Sequence, residues 1–286
     1  MSSELWDRIG EEVFLNPYFY LVFIAVVLAE SFIPAIQGQK ILSNGFLVDF
    51  CWVFINLTFK VLVFTLLYKF LRGFYDQYLS FLSIHLFDHY SKGFKVCFAL
   101  LLGDFVYWFG HYVRHKVKLF WYFHEVHHSQ KQLNFFSEYR VHPIDDLFIY
   151  FIHFIPLLMF IESFTTILAI QWLRHWHSRI YHSNIKSNFG PLKYILVTPQ
   201  SHRIHHSADP IHQDKNFGLT FSIWDHIFGT QYKGYTEYPI TGSYDSSFPT
   251  EHEVKNQFLA LLKQMTYPFQ KLYKRVGDVF IRGRKF

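Results

Sequence analysis

The spacing of nine histidines constrains the fold of this chain more than any other feature. They fall into four groups: His111 with His115; His124, His127 and His128; His182 alone; and His202, His205 and His206. Residues three and four apart share one face of a helix, so each group can direct its rings to one side. The fold must therefore bring distant helices together around these imidazoles.

Nine histidines in this arrangement favour a metal site built almost wholly from imidazole, which suits zinc, copper, iron and nickel. Nine ligands exceed the four that one tetrahedral zinc takes. Two metal ions with four or five imidazoles each would use them all and leave a position open for water or dioxygen. The sequence therefore predicts a dimetal site.

Two cations held by neutral ligands call for carboxylates in the surrounding shell. Asp104 is the first candidate, since it precedes His111 by seven residues and shares its helix face. Weaker candidates are Glu138, Asp145, Asp209 and Asp225. His142 could be an extra ligand or a hydrogen-bond donor to one. His175 shares a helix face with His182 and could also bind metal, whereas His177 is less well placed.

The remaining histidines have a simpler interpretation. A single histidine is more often a satisfied polar side chain or a residue at the membrane interface than a metal ligand. This interpretation applies to His85, His89, His153, His212, His226 and His252.

The composition indicates a membrane protein, because 51% of the residues are hydrophobic and only 17% are charged, against about a quarter charged in soluble domains. The net charge of +5 fits an anionic membrane surface, and the sequence has no nucleic-acid-binding motif. Cys51 and Cys97 both lie in apolar stretches, which argues against a disulfide framework and against cysteine metal ligands.

Four apolar runs are long enough to be considered as membrane spans of roughly 20 residues. They are Tyr18–Ile36, Phe46–Leu71, Val96–Gly110 and Leu147–Ile170. The third continues without a helix breaker into His111, so it would deliver ligands just beyond the bilayer. The fourth contains Pro156 and must return both ends to the histidines, which favours a bent or re-entrant hairpin. Lys60 and Asp49, inside the second run, should lie near an end or in a protein-lined groove.

We therefore expect an all-α integral membrane protein with about four transmembrane helices and a cytosolic helical cap that carries the dimetal site. The expected division is 1–94 for N-terminal membrane helices, 95–232 for a catalytic domain and 233–286 for a basic amphipathic tail. Basic residues after the third run place the histidine side in the cytoplasm by the positive-inside rule, although Lys92 and Lys95 lie on the opposite side. Residues 251–286 fit an interfacial helix on an acidic membrane and an ordinary packed amphipathic helix equally well.

The histidine pattern and its neighbouring motifs resemble the fatty acid hydroxylase / sterol desaturase superfamily of membrane di-iron enzymes. The pattern HxxxH, HxxHH, a single later His and a final HxxHH is matched in order by the nine histidines. The supporting motifs are RxHP at 140–143, HSN at 182–184, TPxxHRxHHS at 198–207, DKNFG at 214–218 and WDxIFGT at 224–230. The similarity covers roughly residues 95–232. The segment NFGPLKYILVTPQSHRIHH is most similar to the alkylglycerol monooxygenase and bacterial sterol-desaturase-like branches.

This resemblance implies a reaction and a set of roles. The nine histidines would hold two iron ions, for which zinc can substitute in a purified protein, and the ferrous ions would activate O2. The product would be an alcohol or an alkene, formed at an unactivated C–H bond of a lipid taken from the membrane. We place Asp104, His142 and Asn184 of the HSN motif in the catalytic site. The sequence carries no flavin, haem or iron–sulfur motif, so a separate electron donor is expected.

The lipid remains open among sterols, fatty acyl chains, ceramides, carotenoids and ether lipids. Both a bacterial inner membrane and the endoplasmic reticulum fit a multi-pass protein of this kind. The main alternative function is a histidine-rich metal transporter or sensor without redox chemistry. A haem-bearing electron carrier would need histidines facing one another across helices rather than tight HxxHH groups. A non-oxidising or inactive relative is a further alternative, although all nine expected ligands are present.

Overall fold

The structure is a computed structural model that describes residues 17–40, 44–59, 63, 65–83, 89–160, 164–252, 254 and 256–282. Within them lie ten α-helices: α1 Pro17–Phe32, α2 Asn44–Phe59, α3 Thr65–Phe74, α4 Lys92–Lys116, α5 Lys118–His128, α6 Pro143–Phe160, α7 Phe164–Tyr181, α8 Pro199–His205, α9 Ile223–Ile227 and α10 Gln257–Arg282. No β-strand occurs in this described part, which has only isolated bridges such as Pro34 with Ile185. The expected all-α class is confirmed.

Helix α4 has 25 residues, carries the first histidine pair and packs against α5, α6 and α7. Ser91 caps its start by accepting a hydrogen bond from the backbone of Phe94. Its segment Gly93–Lys116 is the one helix of the described residues that is long and apolar enough to cross a membrane. Val117 adopts an extended conformation that ends α4, and α5 begins at the next residue. The chain therefore turns directly from the first histidine pair into the second histidine group.

The second apolar run is divided between two helices, α2 and α3. Lys60 lies outside the described residues. Asp49 is fully buried in α2, where its carboxylate accepts a hydrogen bond from Nε of Arg140 at 2.6 Å. The charge within this run is thus enclosed by protein, as expected.

The fourth apolar run is also two helices, α6 and α7. Pro156 lies inside α6 and does not end it. Residues 161–163, between the two helices, are outside the described part. The start of α6 and the end of α7 both lie beside histidines, so the two helices carry the chain away from the histidine groups and back to them. The number of membrane crossings stays a prediction.

Two sets of helix contacts surround the histidine-bearing helices. Helix α4 packs against α5, α6 and α7, while α10 packs against α2 and α5. Trp52 of α2 is fully buried in a cluster with Val126, Phe248 and Leu261, which joins both ends of the chain to the histidine-bearing helix α5. Both cysteines are free, as expected.

Candidate metal centre

The structure brings all nine predicted ligands into two adjoining groups. The first is His111, His115, His124, His128 and His205; the second is His127, His182, His202 and His206. Within each group one ligand atom per ring lies within 4.8 Å of all the others. The rings of His128 and His206 stack with centroids 4.4 Å apart, so the groups share a boundary.

Helical spacing explains how two short helices serve both groups. In α5, His124 and His128 are four residues apart and face the first group, while His127 faces the second. Around α8, His202 and His206 are four residues apart and face the second group, while His205 faces the first. Each HxxHH motif therefore places two rings in one group and one ring in the other.

Three rings of the first group are fixed through their Nδ1 atoms. His111 Nδ1 donates to the carbonyl of Phe217 at 2.9 Å, and His205 Nδ1 donates to the carbonyl of Lys215 at 2.8 Å. His124 Nδ1 donates to Asp145 Oδ2 at 2.9 Å. These bonds keep the proton on Nδ1. Each Nε2 is then unprotonated, and its lone pair points inward, where it can bind a metal ion.

Two rings of the second group are fixed in the same way. His127 Nδ1 donates to the carbonyl of Arg140 at 3.2 Å, and His182 Nδ1 donates to the carbonyl of Ser178 at 2.8 Å. Both acceptors are backbone oxygens. The orientation of these rings therefore depends on the backbone of the RxHP segment and of helix α7.

The inward-facing nitrogens fit metal ions better than they fit one another. His111 and His124 Nε2 are 3.1 Å apart, although both rings carry their proton on Nδ1. In the second group the Nε2 atoms of neighbouring rings lie 2.9–3.3 Å apart. Nitrogens that bind one ion at about 2.1 Å are separated by roughly 3.0–3.4 Å. In the pairs His111–His124 and His127–His182 both rings donate from Nδ1, so two Nε2 lone pairs face and repel each other, and a cation between them removes the repulsion.

Unsatisfied nitrogens support the same conclusion. Within the described residues, buried Nε2 atoms of His115, His128 and His205 have no hydrogen-bond partner. Leaving buried polar atoms unpaired costs about 1–3 kcal/mol each. Three such atoms in one group are accounted for if a metal ion is their partner.

Burial keeps the rings neutral, which is the form that binds metal. It lowers the pKa of His182 to about 4, and it lowers the pKa values of His124, His127, His128, His202, His205 and His206 well below the ordinary value. Negative charge is supplied from outside the rings by Asp145 and Asp214. The neighbouring His115 ring and Lys116 lower the pKa of Asp214 to about 2, so this carboxylate is ionised.

The three residues that the sequence placed beside the ligands have other contacts. Asp104 accepts hydrogen bonds from the backbone of Thr220 and Phe221 and from the indole of Trp224. It therefore holds the loop after DKNFG rather than a histidine ring.

His142 and Asn184 likewise bond segments other than the rings of the two histidine groups. His142 Nε2 donates to the carbonyl of Met265 in α10 at 3.1 Å, and its Nδ1 accepts from the backbone of Ile144. The side chain of Asn184 bonds the backbone of Ile36 and accepts from Arg203. These bonds attach α10 and the segment after α1 to the segments that carry the histidines.

The four weaker carboxylate candidates differ in what they contact. Of the four, Asp145 is the one that accepts a hydrogen bond from a ring of the two groups. Asp225 accepts from the backbone of Phe217 and Gly218 and from Trp108. Glu138 pairs with Arg179 and with His175, which lies outside both groups. Asp209 caps a short 3₁₀ turn.

Of the histidines expected to have ordinary roles, His212 and His226 make local hydrogen bonds, to Ser207 and to the carbonyl of Ser222. His153 is buried against the ring of Tyr107, at a centroid distance of 3.9 Å. His85 lies outside the described residues.

The sequence reasoning missed the carbonyls that orient the rings. Phe217 and Lys215 belong to the DKNFG motif, whose role could not be deduced from its side chains because the functional atoms are backbone oxygens. Asp225 holds this loop by its two backbone bonds, and Trp108 ties Asp225 to α4. The DKNFG and WDxIFGT motifs are thus one structural unit that positions His111 and His205.

Comparison with known proteins agrees with this geometry. The family model for fatty acid hydroxylase matches residues 96–230. Alkylglycerol monooxygenase of Caenorhabditis elegans is 34% identical over 57% of this chain and 32% of its own length. The human alkylglycerol monooxygenase is 34% identical over 46% of this chain and 29% of its own length.

A bacterial relative aligns with more of the chain. The ornithine lipid hydroxylase OlsE of Rhizobium tropici is 30% identical over 69% of this chain and 56% of its own length. The chain thus spans about a third of these alkylglycerol monooxygenases and just over half of OlsE. No solved structure matches it.

Proposed function

Residues 96–230 of this chain belong to the fatty acid hydroxylase family, and from this premise we propose that the protein is an O2-dependent lipid hydroxylase with two iron ions in its histidine groups. One ion would bind the five rings of the first group and the other the four rings of the second. The observation that carries the proposal is the convergence of nine imidazole rings in two groups with a common boundary, five of them with Nε2 left unprotonated by their Nδ1 hydrogen bonds.

When bound, the iron ions would supply activation of O2 and oxidation of an unactivated C–H bond. The overall change converts R–H, O2, two electrons and two protons into R–OH and water. A separate donor would provide the electrons. Hydroxylation is favoured over desaturation, because the matched relatives are named as monooxygenases and a hydroxylase.

The chain's own contribution is to orient the rings and to exclude water from them. The carbonyls of Phe217, Lys215, Arg140 and Ser178 fix the tautomers, and Asp145 balances part of the metal charge. Aromatic rings close the site. Phe217 lies 5.0 Å from the His115 ring, and Tyr181 lies 4.3 Å from the His202 ring. An apolar, enclosed site protects a reactive intermediate from water.

Asp104, His142 and Asn184 would act as positioning residues. Asp104 secures the loop that carries Phe217, and His142 secures α10. Asn184 secures the end of α1 against the segment after His182.

The relatives support a lipid substrate and a membrane setting for this chain. We extend this to a multi-pass protein in which α4 crosses the bilayer and α6 with α7 forms a hairpin that returns to the histidines. The histidine end would face the cytoplasm, where basic residues follow α4. Product analysis distinguishes an ether lipid from an amino-acid-bearing lipid or another class of substrate.

The alternative of a metal transporter or sensor is less well supported, because both histidine groups are enclosed by aromatic residues and helices. It predicts exchangeable zinc and no consumption of O2. The hydroxylase predicts substrate-dependent consumption of O2.

The proposal is tested by purifying the full chain under iron-replete conditions and measuring metal content and Mössbauer spectra. Two iron ions per chain are expected, together with incorporation of one ¹⁸O atom from ¹⁸O₂ into a lipid product. Full activity with one iron or none would contradict the proposal. His127→Ala and His205→Ala should each lose metal and turnover, whereas His226→Ala should retain both. Lipid analysis of a deletion strain would then identify the substrate.

A further inference from the structure

Helix α10 has two opposite faces with different partners. One face is buried: Ala260, Leu261, Gln264 and Tyr267 are each at most 6% exposed. This face attaches the helix to the rest of the protein. Gln264 accepts a hydrogen bond from the indole of Trp52, and the carbonyl of Met265 accepts one from His142.

The opposite face is an exposed apolar stripe. It consists of Phe258, Leu262, Phe269, Tyr273 and Val276, which are 43–84% exposed. Successive members are separated by four, seven, four and three residues, so they share one side of the helix. At about 1.5 Å per residue the stripe is roughly 27 Å long. An apolar surface of this length on a water-facing helix would be costly to leave uncovered.

Polar residues follow the stripe along one edge. Thr266 and Gln270 are exposed there, and Lys263 and Lys274 lie further round the same side. The order around the helix is thus buried face, lysine-bearing flank and apolar stripe. An apolar strip edged by lysines matches the boundary between acyl chains and anionic headgroups.

The position of α10 points to the same partner. Its buried face packs on α2 through Val48 and Trp52. Helix α2 itself exposes Leu47, Phe50 and Phe54, which are 51%, 37% and 50% exposed. The helix on which α10 packs therefore also carries exposed apolar side chains. Lysines along its edge disfavour pairing with a second copy of the same positively charged face.

We infer that α10 lies in the interface of an anionic phospholipid bilayer, with the Phe258–Val276 stripe among the acyl chains and Lys263 and Lys274 at the headgroups. The same helix carries, on its other side, the residues that contact Trp52 and His142. It would hold the histidine site at the level of the membrane surface. This placement does not depend on the identity of the metal or the substrate.

The test uses the full chain reconstituted in nanodiscs that contain phosphatidylglycerol. After replacement of Cys51 and Cys97, a fluorophore is attached at Tyr273→Cys on the stripe or at Lys274→Cys on the adjoining flank. Both native side chains are exposed, and they are one residue apart. Label 273 should be quenched severalfold more by nitroxide-bearing lipid, and severalfold less by aqueous iodide, than label 274.

Equal accessibility of the two labels to iodide would overturn the inference. Shielding of label 273 from both iodide and nitroxide lipid would also overturn it, because another protein surface would then cover the stripe. Phe258→Cys with Lys263→Cys is a second matched pair at the other end, and it serves if a label at 273 disturbs the fold. The readout requires neither bound metal nor turnover, so it is separate from the test of the proposed hydroxylase.

Discussion

Both guanidinium Nη atoms of Arg140 donate to the carboxylate of Glu251, at 2.9 and 3.1 Å. The Nε atom of the same side chain donates to Asp49 at 2.6 Å, and all three side chains are completely buried. The carbonyl of Arg140 accepts the Nδ1 proton of His127. Asp49 and Glu251 lie on either side of the matched family segment 96–230 in sequence. Segments outside that domain thus hold the backbone that orients His127, a proposed metal ligand.

Glu251→Gln is therefore expected to destabilise the fold and to loosen the second metal ion. Removing one partner of a buried ion pair costs about 3–5 kcal/mol, because the other charges remain buried. The displaced Arg140 backbone would no longer hold His127. Thermal unfolding in detergent and the iron content per chain measure the two effects. Unchanged iron content in a folded Glu251→Gln protein would contradict the link to His127.

Asp245→Asn is the matched control for that substitution. Asp245 pairs with Lys271 of α10 and accepts from Tyr267, so it ties the same segment to the same helix. The pair is 26–28% exposed, and partly exposed pairs contribute about 1 kcal/mol or less. We expect a small loss of stability and no loss of iron. If the two substitutions had equal effects, the role of Glu251 would be only to attach the C-terminal tail, and the link to His127 would be absent.

Asp145→Asn should selectively weaken the first metal ion. Asp145 Oδ2 accepts from both His124 Nδ1 and Arg114 Nη1, at 2.9 and 3.0 Å. An amide can still accept a hydrogen bond, but it no longer balances metal charge. Loss of such an outer partner lowers metal affinity by about 10–100-fold. Asp76→Asn breaks the exposed Arg72–Asp76 pair and should leave iron content unchanged. Two tightly held ions in Asp145→Asn would remove Asp145 from this role.

The sequence predicted the grouping of the nine histidines better than it predicted the contacts around them. Helical spacing was sufficient to place rings on common faces, and the structure groups all nine. The same rule misled for Asp104, since a shared face with His111 does not decide which neighbour the carboxylate meets. In the fold it meets the loop Thr220–Trp224. Backbone acceptors such as the carbonyl of Phe217 have no residue signature at all.

The sequence predicted the helical class and the positions of the apolar runs, but not every helix boundary or every buried contact. The run Leu147–Ile170 was expected to form a bent or re-entrant hairpin that contains Pro156, yet α6 continues through Pro156 to Phe160 and α7 begins at Phe164. The buried group formed by Asp49, Arg140 and Glu251 could not be predicted, because its members come from three distant segments. Only the packed structure shows which charges meet.

Gly218→Ala should displace the loop that orients His111 and His205. A Cβ at Gly218 would lie 2.6 Å from the carbonyl oxygen of Phe221 and 2.9 Å from Asp225 Oδ2. The backbone contact cannot be relieved by a rotamer change, so the loop must shift, at a cost of roughly 1–3 kcal/mol. Iron content and unfolding temperature should both fall. Gly73→Ala, where the new Cβ meets nothing within 4 Å, should leave both unchanged or raise stability.

Removal of metal should lower the unfolding temperature, since it leaves facing lone pairs in a buried site. An ion present at a hundred times its Kd contributes about 2.7 kcal/mol to the folded state. We expect a fall of several degrees after chelation, reversed by ferrous iron. His206→Gln removes a ligand of the second group and should reduce the difference between the metal-loaded and chelated proteins, whereas His226→Gln should preserve it. A protein that unfolds at the same temperature with iron bound and with iron removed would show that the histidine groups are stable without a cation, contrary to the geometry of His111 and His124.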